Sequence, residues 1–164
     1  MVATASSAVG VGLGELQVAR DGELVAYSLG SCVAICLYDP LAKVAGMAHV
    51  VLPAVPEKGA GTAPGKFADT AVPALLAAMQ RAGAAAARLH CRLAGGAAVL
   101  AIGGTGSLPP IGQRNVEAVK AALALARVRV RAEDTGGTQG RTVRLDAASG
   151  RVMVRKVSGP EVEL

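Results

Sequence analysis

The sequence predicts an α+β sandwich, within the broader α/β class, made of mixed and antiparallel sheets with two main helices. Three observations carry this. A continuous apolar run at 32–38 lies between a glycine turn and Asp39-Pro40, as expected of a strand buried on both faces. Two later stretches repeat their apolar residues at helical spacing. Near the C-terminus, two strand-like segments flank Ala147-Ala148-Ser149-Gly150, the pattern of a closing hairpin.

Taken in order, residues 1–19 place no cation ahead of their apolar stretch, which is unlike a secretory signal. Gly10-Val11-Gly12-Leu13-Gly14 lacks the final spacing of a phosphate-binding GxGxxG and is expected to be a turn. Residues 23–28 form a strand, Leu29-Gly30-Ser31 a tight turn, and 44–52 a strand that stops at Pro53. A surface loop follows at 54–65. Val72, Leu75, Leu76 and Met79 then mark one helix face. Pro73 is acceptable only in a first turn, so this helix should start near Asp69 or Thr70, with Gly83 as its stop. A strand at 88–93 runs into Gly95-Gly96. In the glycine-rich loop at 100–111, Gly103-Gly104-Thr105-Gly106 has no Lys-Ser/Thr continuation and is treated as a turn. Asn115 is expected to N-cap the second helix, with Val116, Val119 and Leu123 buried. Residues 127–131 alternate Arg and Val, and 142–146 with 152–157 make the hairpin. No repeat or linker divides the chain, and one domain is expected over 1–164.

Composition narrows the function. The chain has no Trp, one Phe and two Tyr, too few for the stacking platform that single-stranded nucleic acid requires. The net charge of +5 is spread along the sequence without a basic block, which suits an acidic protein partner better than nucleic acid. The longest apolar run, 93–104, is too short for a bilayer, so a soluble chain is expected. Three cysteines without paired spacing argue for a reducing, cytoplasmic compartment. Two histidines with no CxxC or HxxxH pair give no reason to expect a metal.

The sharpest chemical feature is Leu29-Gly30-Ser31-Cys32 at the mouth of the buried strand. A cysteine placed after a glycine turn can sit beside free backbone N–H groups, which stabilise a thiolate and later an oxyanion. His49 lies inside the neighbouring apolar strand, where imidazole and thiol could meet across the sheet. The bland alternatives are a small buried hydrophobe and a satisfied core histidine. Cys36, deeper on the same strand face, and Cys91, in mid-strand, are expected to be structural, as is His90.

The runs LGSCVAICLYDP, GMAHVVLP, PGKFAD, AGGAA, IGQRNVEAVK, AEDTGG and MVRKV together resemble the chemoreceptor glutamine deamidase family (CheD), from about Glu23 to Val157. The resemblance implies a fold like that of cytotoxic necrotizing factors and papain-type enzymes. It implies hydrolysis of glutamine side-chain amides on methyl-accepting chemotaxis receptors through a cysteine thioester, without a cofactor. Cys32 would be the nucleophile, His49 its acid–base partner, and the N–H groups around Gly30, Ser31 and Cys32 the oxyanion donors. It also implies a second partner, the phosphatase CheC, although Val99 and Leu100 stand where some relatives carry an aromatic residue that engages it. The family's third site residue is a threonine six positions before the cysteine, and here that position is Ala26. Ser28, Ser31, a backbone carbonyl or a water could orient His49 in its place. The rival readings are a catalytically weakened module that binds receptors or the phosphatase, and hydrolysis of receptor methyl esters. Nothing in the sequence calls for more than a monomer.

Overall fold

The computed structural model describes residues 7–57, 61, 63–99 and 108–164. The glycine-rich stretch 103–106 and most of the loop expected at 100–111 lie outside the described residues. Among those described, ten strands and two long helices run in the order β1 (Ala8–Gly10), β2 (Leu16–Ala19), β3 (Glu23–Leu29), β4 (Val33–Asp39), β5 (Val44–Val50), α1 (Ala68–Arg81), β6 (His90–Gly95), α2 (Ile111–Leu125), β7 (Val130–Thr135), β8 (Arg141–Asp146), β9 (Val152–Lys156) and β10 (Glu161–Glu163). They form two mixed five-stranded sheets, ordered β1-β3-β8-β9-β10 and β2-β5-β4-β6-β7. Among these residues no helix is long and apolar enough to cross a membrane.

β4 lies at the centre of the second sheet, antiparallel to both β5 and β6. One of its faces, with Val33, Ile35 and Leu37, packs under α1 and α2; the other, with Ala34 and Cys36, meets the first sheet. Covered on both sides, the strand is buried at every position, which is why its sequence shows no polar alternation. β8 has only one covered face, and its residues alternate accordingly, with Val143 and Leu145 inward.

Both helices end in Schellman turns. Ala84 N–H reaches Met79 O at 3.0 Å around Gly83, and Val128 N–H reaches Leu123 O at 2.9 Å around Arg127. Gly83 therefore stops α1 as expected. Arg127 takes φ 58° in closing α2, which delays the strand expected at 127–131 until Val130. Two further expectations are corrected. Helix α1 starts at Ala68, placing Pro73 in its second turn, because the bridge between Leu52 and Phe67 delivers the chain directly into the helix. Ala68 N–H donates to Leu52 O (3.0 Å) as it enters. Asn115 is not an N-cap. Helix α2 begins a turn earlier, after Pro110, and Asn115 is fully buried inside it. The short edge strands β1, β2 and β10 carry too few residues to show a period, and β1 falls beside the glycines expected to be a plain turn.

Candidate active site

β3 ends at Leu29, Gly30 and Ser31 turn the chain, and Cys32 stands one residue ahead of β4. Side chains alternate along a strand, so Cys32, Ala34 and Cys36 share the face toward the first sheet. Ala34 is the ladder partner of His49, which puts the imidazole on that same face. Cys32 and His49 both line a cavity of about 500 Å³, whose other walls include Val11, Leu13, Tyr27 and Ser28. His49 is 4% exposed and Cys32 9%, while Leu13 (70%) and Tyr27 (54%) form an open apolar rim.

The segment around residues 11–15 holds His49 in place. The His49 N–H donates to Glu15 O (3.0 Å), and its carbonyl accepts from Gly14 N–H (2.9 Å). Its ring Nδ1 lies 2.9 Å from Val11 O. A carbonyl can only accept, so Nδ1 carries a proton in this bond and Nε2 is the ring nitrogen left for another partner. Among the described residues nothing bonds Nε2, although it is buried. The result is an imidazole oriented through Nδ1, with its Nε2 uncommitted among the described residues, lining one cavity with a thiol. Burial pushes the Cys32 thiol above its ordinary pKa, so sulfur keeps its proton in the free chain.

The turn before Cys32 is anchored entirely through its carbonyls. Gly30 O accepts from Ala97 N–H (2.8 Å), Cys32 O from Gly96 N–H (2.8 Å), and Ser31 O from Asn115 Nδ2 (2.9 Å). Among the described residues nothing accepts from the N–H of Gly30, Ser31 or Cys32. Such donors suit a developing oxyanion. The close fit needs glycine. A β-carbon on Gly95 (φ 118°) would lie 2.1 Å from Cys32 O, and one on Gly112 would lie 2.6 Å from Gly96 O. Asn115 also donates to Val51 O (2.9 Å), so one buried amide ties the segment carrying the thiol to the segment carrying the imidazole.

The remaining sequence candidates fall as follows. Ala26 is buried opposite Val143 and brings no polar atom to the cavity. Ser28 lines the cavity, but neither its hydroxyl nor that of Ser31 bonds His49; the Val11 carbonyl does. Cys36 is sealed in the core, its thiol pushed far up by burial first and then by Cys91. Burial pushes Cys91 up to about 12, on the opposite face. His90 sits at the far end of the sheet opposite Tyr38, its pKa lowered by burial and then by Arg131 and Arg92. Val11 and Asn115 were missed. Val11 acts through its backbone, so its side chain carries no signal. Asn115 did leave one: a polar residue in the stripe shared with Val119 and Leu123.

The CheD chemotactic sensory transduction family matches residues 51–156, a stretch that begins just after His49. Full-length relatives extend over the site itself. The chain is 50% identical over 157 residues to the probable chemoreceptor glutamine deamidase CheD of Symbiobacterium thermophilum, covering 94% of this chain and 95% of that one. It is 45% identical over 153 residues to the chemoreceptor glutamine deamidase CheD of Thermotoga maritima, covering 92% and 93%. With the probable chemoreceptor glutamine deamidase CheD of Thermococcus kodakarensis it shares 41% over 155 residues, covering 94% and 96%. With identity at this level along nearly its whole length, the chain belongs to the CheD family.

Proposed function

We propose that the chain is a cytoplasmic chemoreceptor glutamine deamidase, hydrolysing glutamine side-chain amides of methyl-accepting receptors to glutamates, with Cys32 as nucleophile and His49 as its acid–base partner. The observation that carries this reading is His49 Nε2 in one cavity with Cys32, beside a turn, with neither Nε2 nor the N–H groups of that turn bonded among the described residues.

The steps follow from that arrangement. As a glutamine enters, Nε2 takes the Cys32 proton while sulfur attacks the amide carbon, and the carbonyl electrons move onto oxygen. Burial raises the thiol pKa, so a base is needed to take its proton, and His49 is the one beside it in the cavity. The free N–H groups of residues 30–32 hold the oxyanion. Collapse breaks the C–N bond, and the leaving nitrogen takes the proton from Nε2 and departs as ammonia. Water then gives a proton to Nε2 and attacks the thioester; the C–S bond breaks, leaving glutamate and the restored thiol. The Val11 carbonyl supports both imidazolium stages by holding Nδ1–H, the task that the family's threonine would otherwise perform.

A CheC-type phosphatase belongs to the same proposal as a second partner, with half-exposed Val99 as the residue to substitute. The test of the main reading is mass spectrometry of a receptor cytoplasmic domain before and after incubation. Specific glutamines gain the amide-to-acid mass change with the native chain. Equal conversion by Cys32→Ala would refute the site, and no conversion by the native chain would leave only the binding module.

A further inference from the structure

A second cavity, of about 400 Å³, adjoins the first. Ser28 lines both, Cys32 lines the first, and Gly30 lines the second, so the turn that presents the thiol is the wall between them. The sequence of β3 explains how one strand serves two cavities. Its pairing with β8 slips between Ala26 and Leu29, and Ser28 takes φ 53°. This bulge turns Tyr27 and Ser28 outward while Ala26 and Leu29 stay buried. A non-glycine residue in that conformation is strained, and such strain gathers at working sites.

The far wall of the second cavity is basic. It carries Arg141, Arg155 and Lys156 together with Thr142 and the exposed Val99 and Val157. Arg141 is buried and neutralised by Asp134 at 3.0 Å, and it donates to the Asp134 and Gly136 carbonyls. Lys156 reaches the same carboxylate only at 3.7 Å. Arg155 is exposed and makes no ion pair among the described residues. Glu161, opposite it in the ladder, turns instead to Arg144 at 3.6 Å. Two of the three cations thus share one carboxylate, and the third, Arg155, has none among the described residues.

We infer that this cavity is a substrate subsite, in which Arg155 and Lys156 bind an acidic side chain of the receptor segment that carries the reacting glutamine. The inference rests on the deamidase reading above. Whatever fills the second cavity during turnover is tethered close to the glutamine in the first, because only one turn of backbone divides them. A carboxylate suits the charge, and the reaction itself makes glutamates on the same substrate. The valines beside the cations accept the methylene stem of such a side chain.

Steady-state ammonia release from a receptor cytoplasmic domain tests this with the full chain. The double substitution Arg155→Ala with Lys156→Ala should raise KM about tenfold with kcat unchanged, since the lost contact lies away from the reacting atoms. Arg155→Lys should recover most of the loss. The KM of the native chain should climb with added sodium chloride, and that of the double variant much less. Both residues are exposed, so the thermal midpoint should not move. Neutralising an acidic receptor residue flanking the glutamine should raise KM for the native chain and not for the variant. No ammonia from the native chain would overturn the deamidase reading, and the subsite with it. An active native chain whose double variant keeps the same KM at every salt concentration, or loses kcat instead, would overturn the subsite alone.

Discussion

At one end of β4, Asp39 is fully buried and both carboxylate oxygens are saturated. Leu41 and Ala42 N–H donate to Oδ1 at 2.9 and 3.0 Å, and Ala85 N–H to Oδ2 at 2.8 Å. The Arg88 guanidinium closes the set at 2.8 Å. Burial alone would push this carboxyl up, but Arg88 and the three N–H groups outweigh it and hold it well below the usual carboxylate range. At the other end, His49 Nε2, Asn115 Oδ1 and the N–H groups of residues 30–32 have no partner among the described residues. The same strand thus has one end where a buried carboxylate is fully committed to the fold and another where several polar groups have no partner among the described residues. Buried polar groups are rarely left unpaired without cause, and here His49 Nε2 lines one cavity with a thiol.

The largest expected effect separates the two ends by chemistry. Cys32→Ala and His49→Ala should each lower kcat by at least about a thousandfold. Cys36→Ala, four residues along the same face, should leave kcat near the native value and cost only about 1 kcal/mol of stability. Comparable losses at Cys32 and Cys36 would erase the distinction.

Asp39→Ala should do the reverse, costing about 3 kcal/mol of folding stability while leaving kcat intact at room temperature. Denaturant titration measures it. Because the folded pKa is depressed, this stabilisation is complete above the unfolded value of about 3.9 and is lost as pH falls below it toward the folded one. The native chain should lose that increment on acidification, and Asp39→Ala should have none to lose.

Asn115→Leu affects both stability and catalysis. It leaves the Ser31 and Val51 carbonyls unpaired, for a cost of about 2 kcal/mol, and it frees the turn carrying the proposed oxyanion donors. A fall of about tenfold in kcat with KM unchanged is expected, since the donors act on the transition state. A stability loss with native kcat would reduce Asn115 to a structural tie. The smallest effect concerns resting reactivity. Iodoacetamide labelling of Cys32 should keep rising through the pH range in which an ordinary thiol levels off, because burial raises its pKa. A plateau near neutrality would mean a thiolate already formed in the free chain.

Much of this arrangement was legible in the sequence where side chains define it. The 32–38 run, the stripe of α1 and the terminal hairpin follow from period and polarity, whereas the choice of Cys32 with His49 rested on the family resemblance. The sequence was silent where backbone does the work. The hydrogen bond from His49 to Val11 O depends on where a glycine-rich segment lies, not on what residue 11 is. The clamp at Asn115 was obscured for a different reason: asparagine favours N-caps, and burial in the middle of α2 overrode that local preference. Pro73 likewise yielded to the bridge that starts α1 early.

The central claim is that the under-bonded end of β4 does covalent work through sulfur. Acid quenching during turnover on a receptor domain, followed by intact-mass measurement, tests it most directly. A thioester adduct should appear on the native chain, map to Cys32, and vanish on treatment with hydroxylamine. Ammonia release at the native rate from Cys32→Ala, with no adduct, would contradict it.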